Sequence, residues 1–277
     1  VTRQDTSPVY TVDLFPPERA ALLDLLRALG RDDWQRPTVC DGWSVHDVAL
    51  HILGGDLANI SRRRDRHRSG KSEQQAWEDL VAYLNDLNRS WVEAARRISP
   101  RLVIHLLEVT GPQLYEYFAT LDPHATGAPV SWAGPQPAPV WLDIAREYTE
   151  RWLHQQHIRD ATGRPGLTEP GFLGPVLDTF ARALPHAYRD VPAPPRARVR
   201  ILVEGDADRL WSLVCGDGWS LSTDAGAAAD TAITIDQDAL WRLLTKGIAK
   251  DEARQRSHID GDAALAAPFF EAVAIIA

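Results

Sequence analysis

The hydrophobic pattern of this 277-residue chain changes period once, and that change constrains the fold more than any other feature. Before about residue 184 apolar residues recur at helical spacing; beyond "LPHAYRDVPAPPRAR", Leu184 to Arg198, which carries four prolines, they alternate. In the first part "PPERAALLDLLRALG" opens on prolines suited to a helix start and repeats Leu22, Leu25, Leu26 and Leu29 on one face. Ser44 followed by Asp47 resembles a capping box with Asp in place of Glu, and predicts a second helix from about Val45 to Arg63. Ser72 to Ile98 carries Trp77, Leu80, Leu84, Leu87 and Trp91 at helical spacing, and Pro100 ends it. "LVIHLLEVTGPQLYEYFATL" reads as further helix interrupted at Gly111-Pro112. The prolines and glycines of "DPHATGAPVSWAGPQPAP" predict an irregular loop, "VWLDIAREYTERWLHQQHIRDATG" a long fourth helix ending at Gly163, and Phe172 to Ala183 a shorter one. After the prolines, "ARVRILVEG", "GWSLSTD" and "DTAITIDQ" are short strands, with helices from about Asp238 to Leu244 and from Gly261-Asp262 onward. The expected fold class is therefore α+β: a helix bundle over 1–184, a proline-rich linker over 185–195 and a small α+β domain over 196–277.

Charge narrows the partners. Thirty basic and thirty-eight acidic residues give a formal net charge of −8, the wrong sign for a nucleic-acid binder. The one basic cluster, Ser61 to Gly70, reads as a solvated helix end. No run approaches the ~18 apolar residues of a membrane span, and the first residues do not look like a secretory leader, so a cytoplasmic location without membrane association is expected. Cys40 and Cys215 fall in different predicted domains and are expected to be reduced thiols.

The candidate chemistry sits on two of the predicted helices. His46 and His51 share the second, but five residues place them about 140° apart around its axis, so they do not face one cation. His51 shares a face with Val48 and Gly55 and points inward. On the fourth helix Glu150 and His154 stand at i and i+4, where a carboxylate and an imidazole can converge on one ion, and Glu147 and His157 lengthen the same stripe. His51 from one helix with Glu150 and His154 from the other would give three N/O ligands and an open position, the pattern of catalytic zinc; nickel or ferrous iron accept the same donors.

These residues carry a resemblance. "DDWQRPTVCDGWSVHDVALHILGG" is similar to the W-x-x-P-T-x-C-x-G-W-x-V-x-D-x-x-x-H signature of the mycothiol-dependent maleylpyruvate isomerase family, among the DinB-like metal-binding four-helix bundles. "EYTERWLHQQHIRDATGRPG" is similar to that family's second motif. "ILVEGDADRLWSLVCGDGWSL", "ITIDQDALWRLLTKG" and "IDGDAALAAPFF" resemble its small C-terminal domain, related to sterol-carrier-like folds. The resemblance implies that the metal ligands are His51, Glu150 and His154. His46 falls on a variable position of the signature and is expected to cap or polarise the helix start.

By the same resemblance a low-molecular-weight thiol such as mycothiol is activated as a metal-bound thiolate and attacks an electrophilic small molecule, giving isomerisation or S-transfer. The sequence singles out no general base, with Glu147 and His157 as candidates only. A metal-dependent hydrolase using a metal-bound water and a non-enzymatic lipid or small-molecule binder are the rival readings. The tryptophans near these motifs, Trp43, Trp152, Trp211, Trp219 and Trp241, are expected to pack rather than to stack on a ligand. The thiol is expected to lie between the two domains, with Arg242, Lys246 and Arg254 available to its polar end.

Overall fold

The computed structural model describes residues 7–67, 77–224, 226 and 228–275, with the side chains of 77–80 excepted. Ser72 to Gln75 and Ala76 of the predicted third helix, the side chains of Trp77 and Leu80, and the last three residues of the basic cluster lie outside the described residues. The chain divides into two compact units, each built from separated stretches of sequence.

One unit comprises Thr11–Asp122 and Glu147–Leu167. Its helices are α1 (Phe15–Arg27), α2 (Val45–Ala58), α3 (Trp77–Ala95), α4 (Pro100–Ala119) and the greater part of α5 (Val140–Thr162). α2 is apolar on most of its circumference, with Val45, Val48, Ala49, Leu50, Ile52 and Leu53 buried, and it packs on both α3 and α4. The predicted capping box is present: Asp47 N–H donates to Ser44 Oγ at 3.3 Å and Ser44 N–H to Asp47 Oδ2 at 3.0 Å. α2 ends sooner than expected and continues as a π-helical turn over Asn59–Arg64. Gly54 is required by close approach, because a Cβ there would lie 2.5 Å from Trp91 Nε1, which donates to the Leu50 carbonyl.

α4 is not interrupted. It runs unbroken through Gly111-Pro112, although the proline ring forfeits one backbone hydrogen bond. Packing outweighs that loss: Gly111 leaves room for the Arg19 side chain, whose Cγ would lie 3.0 Å from an added Cβ, and Arg19 Nη1 donates to the Leu107 carbonyl at 2.9 Å.

Arg19 also opens a buried ionic network. Asp56 accepts from Arg19, from Arg151 and from Thr110, while Arg151 bonds Glu147 at 2.9 Å and Glu147 accepts from Asn59. Glu18 accepts from Gln155 at 2.8 Å, and burial raises its carboxyl above the ordinary range, with its other oxygen unsatisfied. Glu147, Arg151 and Gln155 are spaced four residues apart, so this network occupies one stripe of α5.

The other unit comprises the residues up to Tyr10, Pro123–Arg146 and Thr168 onward. The loop expected to be irregular contains a short antiparallel ribbon, β1 (Thr126–Pro129) with β2 (Pro137–Pro139). In a two-stranded ribbon every strand is an edge, where proline's missing N–H is tolerated. α6 (Pro170–Phe180), a 3₁₀ turn over Ala181–Ala183 and α7 (Leu184–Ala187) follow. The sheet is formed by β3 (Arg198–Glu204), β4 (Arg209–Cys215), β5 (Trp219–Ser222), β6 (Thr231–Asp236) and β7 (Ser257–Gly261), in the order β5-β4-β3-β6-β7. β3 and β6 are parallel and the remaining pairs antiparallel, with Ile201 opposite both Trp211 and Ile233. α8 (Gln237–Leu244), capped by Asp236, α9 (Lys250–Gln255) and α10 (Ala263–Ala266), capped by Asp262, complete it.

The α+β class stands as expected, but the compact units do not divide at residue 184. α6 groups with the sheet, and the reason is visible in its side chains: Asp178 accepts from Arg209 at 2.9 Å and from Trp211 Nε1 at 3.1 Å. Among the described residues no helix is long and apolar enough to cross a membrane.

Candidate metal centre

The three residues singled out on α2 and α5 come together. His51, Glu150 and His154 each offer a ligand atom, and these atoms lie within 4.8 Å of one another. The His51 and His154 rings meet edge to face at 4.5 Å, and His154 Nε2 is 3.5 Å from Glu150 Oε2. The i, i+4 spacing sets the second distance, and the packing of α2 within the bundle sets the first.

Burial pushes the His51 ring down to about 3, with His154 adding to the effect, so His51 is a neutral imidazole with a lone pair to give. Burial also opposes charge on His154, but the nearby Cys40 thiol and Glu150 carboxylate outweigh it and push this ring up to about 9. His154 Nδ1 is buried without a hydrogen-bond partner. Two histidine rings and a carboxylate whose ligand atoms lie within 4.8 Å of one another are a donor set that fits a divalent cation, which would displace the proton of His154.

Glu147 and His157 part company. Glu147 turns into the ionic network with Arg151 and Asn59, whereas His157 approaches the centre, its ring 5.4 Å from His154. The residue that sequence reading missed is Cys40. Its sulfur lies 3.3 Å from His157 Nδ1, and Cys40, His154 and His157 also present ligand atoms within 4.8 Å of one another. The available signal is its place in the signature and in the loop just before the capped start of α2, where the sequence alone reads it as a reduced thiol.

His46 does not cap α2, because Ser44 and Asp47 already do. It is buried edge-on against Trp34 at 5.8 Å, and burial lowers its pKa. His46→Ala is therefore expected to leave cation stoichiometry unchanged while lowering stability by roughly 0.5–3 kcal/mol. Elemental analysis alongside urea unfolding checks it; cation loss equal to that of His51→Ala would overturn the assignment.

Among the named tryptophans, Trp43 touches the donor set, its ring 5.1 Å from that of His51. Trp43 also lines, with His46, Asp47 and Arg96, an open depression of about 700 Å³ that none of the three donors borders. Trp152, Trp211 and Trp219 are anchored by hydrogen bonds to Leu167, Asp178 and Val191, and Trp241 lies under the Arg242 guanidinium at 4.1 Å. Arg242 also donates to Asp238, Arg254 sits over Phe270 beside Asp251, and Lys246 occupies a left-handed turn with φ 59°.

The sequence profile of the mycothiol maleylpyruvate isomerase N-terminal domain matches residues 15–159, and with them every donor named above. A crystal structure of the mycothiol-dependent maleylpyruvate isomerase superposes with a TM-score of 0.52 at 10% identity, covering 84% of this chain and 86% of that one; the two share a fold. A mutant of that enzyme gives 0.48 at 11% identity over the same shares. The solution structure of the sterol carrier protein domain 2 of Helicoverpa armigera covers 37% of this chain and 80% of its own at 15% identity, with a TM-score of 0.24. No curated protein matches the chain. Because the matched span exceeds half of the sequence, the chain belongs to the mycothiol maleylpyruvate isomerase N-terminal domain family.

Proposed function

We propose that the protein is a metal-dependent isomerase or S-transferase that uses a low-molecular-weight thiol of the mycothiol type. The observation that carries this reading is the convergence of His51, Glu150 and His154 inside the span that matches the family. His51, Glu150 and His154 would hold a divalent cation, zinc being well suited to two imidazoles and a carboxylate, and such an ion would favour thiolate over thiol as the nucleophile for an electrophilic carbon.

The chain's own residues do the positioning. Neutral His51 presents a lone pair without first losing a proton, and Trp43 packs over its ring. Glu150 and His154 alternate along α5 with Arg151 and Gln155, which are tied to Asp56 on α2 and Glu18 on α1. The ionic network thus fixes the rotation of α5 and, with it, the direction in which the donors point.

The test is to load the protein with zinc and assay maleylpyruvate isomerisation and conjugation of other electrophiles, with and without mycothiol. Turnover is expected only with the thiol, and His51→Ala is expected to abolish it. Turnover that persists without any thiol would replace this reading by hydrolysis, with water in the thiol's place.

A further inference from the structure

The reading above leaves Cys40 and His157 without a role, yet both are placed by built structure. Cys40 lies in a tight turn: its N–H donates to Thr38 Oγ1 at 3.2 Å, its carbonyl accepts from Trp43 N–H at 3.0 Å, and Thr38 N–H reaches the Trp43 carbonyl at 2.9 Å. Gly42 takes the left-handed conformation that closes the turn, φ 71°, and the next residue but one caps α2. The sulfur is thereby held against α5, where His157 stands three residues, about one turn, beyond His154.

We propose that Cys40, His154 and His157 form a second, sulfur-containing cation site that overlaps the first at His154, so that one cation occupies either position and soft metals take the sulfur side. Donors around a tetrahedral ion with metal–sulfur and metal–nitrogen bonds of normal length stand roughly 3.4–3.6 Å apart. Cys40 Sγ and His157 Nδ1 are already at 3.3 Å, and His154 completes the trio within 4.8 Å, a closure that side-chain rotation can supply. Thiolate with imidazole selects cadmium, cuprous copper or zinc, whereas the carboxylate of Glu150 favours harder ions such as manganese. His154 serves both trios, which makes the two positions exclusive for ions that need it. The site is a property of the donors, independent of whether the chain turns over a thiol.

The experiment uses full-length protein in a Cys215→Ser background, so that Cys40 is the only thiol. Cadmium titration is expected to saturate at one ion per chain with a thiolate-to-metal charge-transfer band in the ultraviolet. Cys40→Ser should lose the band and weaken cadmium binding roughly tenfold or more. His157→Ala should weaken cadmium similarly, while Glu150→Gln should keep the band and weaken manganese instead. His154→Ala should impair both metals. A cadmium complex without the thiolate band, equal cadmium affinity in wild type and Cys40→Ser, or two ions bound per chain would each overturn the overlapping site. Loss of thiol-dependent turnover tests a separate matter, since the band reports on Cys40 whatever the enzyme does.

Discussion

Substituting His154 by alanine is expected to strip the bound cation and abolish turnover together, with affinity for zinc falling by roughly two orders of magnitude or more. Removal of an outer partner of a metal ligand already costs about 10–100-fold, and His154 is a donor itself. It stands where the rings and carboxylate approach one another, 4.5 Å from His51 and 3.5 Å from Glu150, so its loss removes one of the three donors of the trio. Elemental analysis after dialysis against a weak chelator, with the assay run on the same sample, checks both parts. Equal metal content in wild type and variant would remove His154 from the centre. Circular dichroism on the same sample must show an intact helix bundle.

The largest loss of stability is expected from Asp56→Ala. Asp56 is fully buried and accepts from Arg19 at 2.7 and 3.0 Å, from Arg151 at 3.0 and 3.2 Å, and from Thr110 at 2.7 Å. Truncation leaves two buried guanidinium groups short of their shared counter-charge, a change that costs about 3–5 kcal/mol. That is a large fraction of the 5–15 kcal/mol that typically separates folded from unfolded domains, so a shift of the urea midpoint is expected to be plain. A midpoint within error of wild type would show that the network contributes little.

The pH dependence has a definite sign. Burial alone would raise the Asp56 carboxyl, but Arg19, Arg151 and Thr110 outweigh it and hold the group below the ordinary carboxylate range. Its stabilisation is therefore fully present above the unfolded-state value and is lost as pH falls through the depressed folded value. Acid unfolding of the wild type below about pH 4 should accordingly be steeper than that of Asp56→Asn.

Much of the fold was legible because helix signals are local. The Ser44–Asp47 box, the stop at Gly163 with its φ of 64° and the Asp262 cap each depend on a few neighbouring residues. What escaped depended on distant partners. Gly111-Pro112 reads as a break until Arg19, nearly a hundred residues earlier in the chain, fills the space above the glycine. β4 buries three consecutive residues, Trp211 to Leu213, instead of alternating, and β7 is mostly polar, so neither shows the period of a half-exposed strand. In the centre, the pair on α5 was readable from spacing, and His51 from its inward face. Cys40 and the divergence of Glu147 from the stripe were not, because both are decided by which neighbour each side chain meets.

α5 is continuous from Val140 to Thr162, yet the compact units divide within it, between Arg146 and Glu147. The order of synthesis gives this division a meaning. All segments of the bundle unit have been made once Leu167 has left the ribosome, whereas Pro123–Arg146 belongs to a unit whose sheet is encoded by the last third of the chain. At typical translation rates those strands arrive on the order of ten seconds later. The segments that carry the donors on α2 and α5 are therefore complete while the sheet is still unmade, before the chain has the material for a second hydrophobic core.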